Sequence, residues 1–233
     1  MSTDELYKEF DKLVPKPVVL FDKRPLPEGV PKHVVVPGKK CELSLNEAEI
    51  FLSGFGESFV PSITQRYHSS IPETLVPPEV YFLPQEPPSF SSDIWSLACT
   101  IWAIISLRPL FEAFIPNADN TIAQHVESLG KLPPEWWQKW DNRLEWYNDE
   151  GVRLNGDNTL LEELFESEVQ MPRREVGMKE IDKEEKAALL DMLKGMMAFK
   201  SGERVTAEQT KKSKWMRKWG LPELWALKRT QEC

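Results

Sequence analysis

Residues 91–107, SSDIWSLACTIWAIISL, decide how the rest of the chain is read. Apolar side chains surround almost the whole helical circumference, from Ile94, Trp95 and Leu97 to Ile104 and Ile105. Such a pattern predicts a helix that runs through the centre of a core and not across its surface. Ser91 or Ser92 is placed to cap it, and Asp93 falls in the first turn, where a carboxylate suits the positive end of the helix dipole. The run is too short and too interrupted to span a bilayer.

Downstream the helical pattern continues. TIAQHVESLG (121–130) closes on Gly130, and PPEWWQKWDNRLEWY (133–147) puts Pro134 at a helix start. In the second, Trp136, Trp137, Trp140, Leu144 and Tyr147 recur at helical spacing, which predicts core rather than an aromatic recognition surface. Asp182 and Glu185 stand in capping-box spacing before Leu189, Leu193, Met196 and Met197. Thr206 and Gln209 repeat that box ahead of a last short helix.

Upstream the character changes. A short amphipathic stretch (Leu6, Phe10, Leu13) precedes two β-branched runs, Val18-Val19-Leu20-Phe21 and Val34-Val35-Val36, separated by RPLPEGVPK. A third strand is expected over 49–55. Residues 56–90 hold seven prolines and no helical period, and are expected to be irregular with polyproline pieces. The fold class is therefore α+β, mainly α, with a small N-terminal β element.

Composition bounds the function. The 233 residues are 41% hydrophobic and 28% charged, with nine tryptophans, which suits a globular core. A net charge of -8 argues against nucleic acid as the main partner. Cys41, Cys99 and Cys233 show no C-x-x-C spacing, and His33, His68 and His125 share no spacing with them, so a zinc site is not expected. Ser53, Ser58, Ser69 and Ser70 have no neighbouring His and acid to activate a nucleophile. MSTDELYKEFDK resembles neither a signal nor a transit peptide. A soluble protein, cytoplasmic or nuclear, with no membrane partner is the expectation. Residues 141–170 carry nine acidic side chains against Arg143 and Arg153, almost the whole net charge.

EIFLSGFGESF (49–59) places Gly54-Phe55-Gly56 after an apolar run. A dinucleotide loop would need a third glycine where Phe59 stands, so a turn with Phe55 tucked into the core is the simpler reading. The triplet is followed by Pro77-Pro78-Glu79, then Asp93-Ile94-Trp95-Ser96, then SGERVT (201–206). In this order and spacing, residues 16 to about 225 resemble the C-terminal lobe of a eukaryotic protein kinase, in detail the SR-protein-kinase type of fungi. The counterparts are the D-F-G turn, the A-P-E end of the activation segment, the D-x-W-S-x-G helix and the arginine near the end of the lobe.

The resemblance implies that Glu79 pairs with Arg204, that Trp95 belongs to the central helix, and that Asp93 accepts hydrogen bonds from catalytic-loop N–H groups. It implies residues 1–48 as an insertion-like segment, 49–225 as a partial kinase domain and 226–233 as a tail. The family transfers phosphate from ATP with Mg²⁺ to protein Ser/Thr, which requires a Gly-rich loop, a strand lysine, an H-R-D loop and the D-F-G aspartate. The chain contains none of these motifs, and Gly54 occupies the aspartate position. No catalytic, cofactor-binding or metal-binding residue is therefore expected, and the chain reads as a truncated, pseudokinase-like binding remnant. The alternative is the lower lobe of an active kinase completed by an N-lobe outside this chain. SR-protein kinases dock basic Arg/Ser-rich segments on an acidic groove, which implies docking on Asp141, Glu145, Asp149, Glu150, Glu162, Glu163 and Glu166. Three departures, Lys200-Ser201, Val205 and Pro77, bear on the packing around Arg204.

Overall fold

In the computed structural model, which describes residues 14–35, 52–67, 71–112, 117–156 and 158–231, the chain divides into two units, Met1–Leu52 and Ser53–Cys233. The amphipathic stretch at Leu6, Phe10 and Leu13, Val36 and residues 49–51 lie outside the described residues.

The first unit contains an antiparallel ribbon, β1 (Pro15–Pro17) with β2 (His33–Val35), in the register Pro15–Val35, Lys16–Val34 and Pro17–His33. β1 begins three residues before the β-branched run at 18–21, whereas β2 falls on the second run at Val34-Val35. The Val18 N–H still reaches Lys32 C=O at 2.9 Å, but the chain then turns: Lys23 N–H donates to Leu20 C=O, and Lys23 adopts φ 58°. Asp22 holds that turn by accepting from the Arg24 N–H and guanidinium. Val19 and Phe21 are left exposed.

The second unit is helical. Its α-helices are α1 (Glu79–Phe82), α2 (Phe90–Ser106), α3 (Ala118–Leu129), α4 (Pro134–Lys139), α5 (Leu161–Phe165), α6 (Met171–Glu175), α7 (Lys183–Met196), α8 (Ala207–Lys211) and α9 (Leu221–Gln231). Gly54 takes a left-handed conformation (φ 79°) and Phe55–Glu57 form a 3₁₀ turn, so the extended run expected here is broken. Phe55 is 65% exposed, not tucked into the core.

The cap of α2 is Ser89, not Ser91 or Ser92. Extended backbone after Pro87-Pro88 lets the Ser89 Oγ accept from Ser91 N–H, while Ser92 Oγ accepts from Ser89 N–H. Only one face of α2 is buried. Trp95, Ala98, Cys99 and Trp102 pack with Phe165 and Val169 and with Leu189, Leu193 and Met196 of α7, while Phe90, Leu97 and Ile104 face solvent. The expectation of a helix enclosed on all sides is corrected. Asp182 caps α7 as expected, but Glu185 leaves the box and accepts from Trp215 Nε1 instead. The Thr206–Gln209 box forms in full.

A second cluster joins Phe82, Ile122, Val126, Trp136, Trp137, Trp140 and Tyr147. Helix α4 stops at Lys139, because Trp140 is extended (φ -83°, ψ 97°), and a 3₁₀ turn over Asp141–Glu145 resets the phase. Leu144 consequently points outward, contrary to its helical spacing with the tryptophans.

His125 lies at the junction of the clusters, fully buried, with ring centroids 4.4 Å from Phe111 and 4.9 Å from Trp95. Neither ring nitrogen has a hydrogen-bond partner among the described residues. Burial, with the Arg204 charge second, pulls its pKa down to about 3. Between that value and the ordinary range near 6.5 the unfolded chain binds a proton that the folded chain rejects, so stability falls as pH drops through this window. His125→Phe is expected to gain on the parent by about 1.4 kcal/mol per pH unit below roughly 6.5, measured by urea unfolding at a series of pH values. A pH-independent difference would refute the buried neutral imidazole.

Candidate functional site

After α7, the 3₁₀ turn Ser201–Glu203 delivers Arg204 in extended backbone toward α1. Its guanidinium donates to Glu79 in bidentate fashion, Nη1 to Oε1 at 2.8 Å and Nη2 to Oε2 at 2.5 Å. The remaining N–H groups reach Ala198 C=O at 2.8 Å, Phe199 C=O at 2.9 Å and Ser91 C=O at 3.1 Å. All five donors of the fork are thus used. The arginine side chain is 0% exposed, that of Glu79 10%. Ser92 Oγ adds a bond to Glu79 Oε1 at 3.1 Å, and the guanidinium sits 5.0 Å from the Trp95 ring centroid. Glu79, Trp95 and Arg204 therefore meet in one place, and Ser92 completes it. The sequence could have pointed to Ser92 only through its position one turn into α2.

Asp93 stands beside this corner but faces away. It has no hydrogen-bond or ion-pair partner among the described residues, and partial burial holds its carboxyl above the usual aspartate range. It borders a cavity of about 410 Å³ lined also by Gly54, Glu57, Ser58, Phe59, Ser89 and Ser92. Glu57 is paired with Arg66 at 2.9 Å. Magnesium and a triphosphate do not fit this setting. Gly54 brings no ligand, no lysine or arginine among the described residues lines the cavity, and the carboxylates that do line it, Glu57 and Asp93, repel phosphate oxygens. Among the described residues no three His, Cys, Asp or Glu side chains are placed to hold a metal ion, and no helix is long and apolar enough to cross a membrane.

The acidic run is divided by the fold. Asp141, Glu145, Asp149 and Glu150 are exposed along the 3₁₀ turn and the loop that closes with the Tyr147–Arg153 bridge, and their carboxylates have no ion-pair partner among the described residues. Glu162 pairs with Lys194, and Glu166 with Arg174 at 2.8 Å and Lys186 at 3.5 Å. Glu163 accepts from Leu160 N–H at 3.2 Å. Elsewhere, Glu112, Glu127 and Glu168 line a cavity of about 600 Å³ with Arg108 and Arg153. Arg153 binds Glu127, and Trp102 Nε1 donates to Glu168 at 3.3 Å. They come from three separate segments, so sequence counting passed over Glu112 and Glu127.

The chain is 25% identical over 122 residues to "Serine/threonine-protein kinase AFC2" of Arabidopsis thaliana, a match covering 52% of this chain and 28% of that protein. No family profile matches. The likeness supports a kinase-like ancestry, and the mainly helical architecture is compatible with it. The aligned stretch spans little more than a quarter of the plant kinase's length.

Removing one partner of the buried pair strands the other charge. Arg204→Met is expected to lower stability by about 3–5 kcal/mol in denaturant titrations, with part regained in the double variant with Glu79→Gln. A loss below about 1 kcal/mol would mean that the pair does not anchor the corner.

Proposed function

We propose that this chain is a kinase-like C-lobe that acts by binding and, by itself, transfers no phosphate. The observation that carries this reading is a contrast. The Glu79–Arg204 anchor is built in full, with every donor of the guanidinium used, while Gly54 offers no metal ligand and the adjoining cavity has, among the described residues, no cation to hold phosphates. The partner class is a basic Arg/Ser-rich protein segment, docked close to Asp141, Glu145, Asp149 and Glu150, whose charges the fold leaves unspent. Glu162, Glu163 and Glu166 contribute less, being engaged already by Lys194, the Leu160 N–H, Arg174 and Lys186. Screening confines such attraction to about 8 Å at physiological salt, so affinity must be salt-sensitive.

A second reading, the lower lobe of an active Ser/Thr kinase completed by another polypeptide, is favoured by the exposed stripe Phe90, Leu97 and Ile104 beside the unpartnered Asp93. Both readings make the same statement about the isolated chain. ATP with Mg²⁺ is expected to leave its melting temperature unchanged, and labelling of a serine peptide by protein free of contaminating kinases would overturn the proposal. Fluorescence anisotropy with an Arg-Ser repeat peptide is expected to show binding that weakens steeply with salt. Binding indifferent to salt, or none, would remove the docking assignment.

A further inference from the structure

The chain is acidic overall, yet its C-terminal end is not. Lys211, Lys212, Lys214, Arg217, Lys218, Lys228 and Arg229 face one acid, Glu223, across residues 211–229. A π-helical stretch, Met216–Gly220, runs directly into α9, so the charges from Lys214 to Arg229 lie along one helical rod, while Lys211 and Lys212 end α8 just before it. Glu184 takes up Lys214 at 3.0 Å and Lys218 at 2.5 Å, and Glu208 takes up Lys212 at 3.1 Å. Lys211, Arg217, Lys228 and Arg229 have no ion-pair partner among the described residues, and between them Leu224 and Trp225 are 45% and 57% exposed. An exposed tryptophan and leucine on a helix with unpaired arginine and lysine one to two turns away have the composition of a protein interface centre and rim.

A matching surface exists on the same chain. The exposed, unpaired carboxylates of Asp141, Glu145, Asp149 and Glu150 flank Leu144 (51% exposed) in sequence, with Val152 (59%) and Leu154 (51%) following and Lys131 reaching the Asp149 C=O beside them. One stretch combines exposed apolar side chains with unpaired cations, the other with unpaired carboxylates, and no ion pair joins them among the described residues. We propose that they join two copies of this chain: the basic Trp225 surface of one molecule docks on the acidic Leu144 surface of another. The contact is heterologous, so an open assembly keeps one free surface of each kind, at its two ends, unless it closes. The acidic half is the surface assigned above to basic segments. The inference rests on that reading for this half alone, and α9 then acts as a built-in competitor for such segments.

Sedimentation velocity at about 100 µM protein is expected to show self-association at roughly 50 mM salt that weakens at least about tenfold near 500 mM. The variants R217E/K228E/R229E and D141K/E145K/D149K/E150K change exposed residues only, and far-UV circular dichroism checks their folding. Each alone is expected to be monomeric, and an equimolar mixture to associate again, because each then presents the charge the other lacks. A parent that is monomeric at low salt, or association unchanged by the substitutions or not restored on mixing, would overturn the proposal. So would binding of the 211–229 surface to anionic vesicles or RNA without self-association. Failure of Arg-Ser peptide binding with self-association intact would refute only the peptide assignment.

Discussion

Arg204 and Glu79 are 125 residues apart, and the second unit depends on their meeting. The desolvation of both charges is offset only because the geometry is complete. The carboxylate receives two guanidinium bonds and one from Ser92, and the guanidinium also ties down the carbonyls of Ala198, Phe199 and Ser91. One side chain thereby fastens three segments: the Pro-Pro-Glu turn, the start of α2 and the end of α7. The residues that depart from the resembled pattern around it have local roles. Lys200 reaches Glu135 at 2.6 Å, Ser201 opens the 3₁₀ turn, and Val205 N–H donates to Gly195 C=O at 3.1 Å. A Cβ on Gly195 would lie 3.2 Å from Val205 Cγ1, so the valine and the glycine fit as a pair.

Burial in this unit is strongly one-sided. Trp95 and Trp102 lie at 0% exposure on the same helix that leaves Ile104 at 63%. The packed side also carries the polar groups most demanding of their surroundings: the Arg204 fork, the unpartnered imidazole of His125 and the Cys99 thiol, which burial pushes up to about 12. These hold because aromatic rings close around them, Phe111 and Trp95 against His125 and Trp95 against Arg204. A thiol so placed is inert at neutral pH.

Charge is arranged by the same separation of used from unused. Lysines and arginines of α6 and α7 neutralise the acids of α5 and the adjoining π-helical turn, and Glu184 neutralises two of the C-terminal lysines. The unpaired surplus is negative near Leu144 and positive near Trp225. Net charge taken over the whole chain, -8, does not show this polarity, because it records no positions.

Local chemistry made much of this legible in advance. The helices begin at Asp182 and Thr206 and close at Gly130 because caps satisfy orphan N–H and C=O groups within a few residues, a matter settled by sequence alone. The resemblance implied the pairing of Glu79 with Arg204; the structure brings these two together against Trp95 and leaves Asp93 outside the network. Tertiary structure decided what depends on neighbours distant in the chain. Periodicity cannot say which face of an all-apolar helix finds a partner, so the exposure of Leu97 and Ile104 had no signal. A single extended residue, Trp140, shifted the phase that carried Leu144 out of the core. The acidic run, one block in sequence, became paired and unpaired halves because Lys186 and Lys194 come from a helix that only folding brings alongside, while Arg174 reaches back to Glu166 along its own helical run.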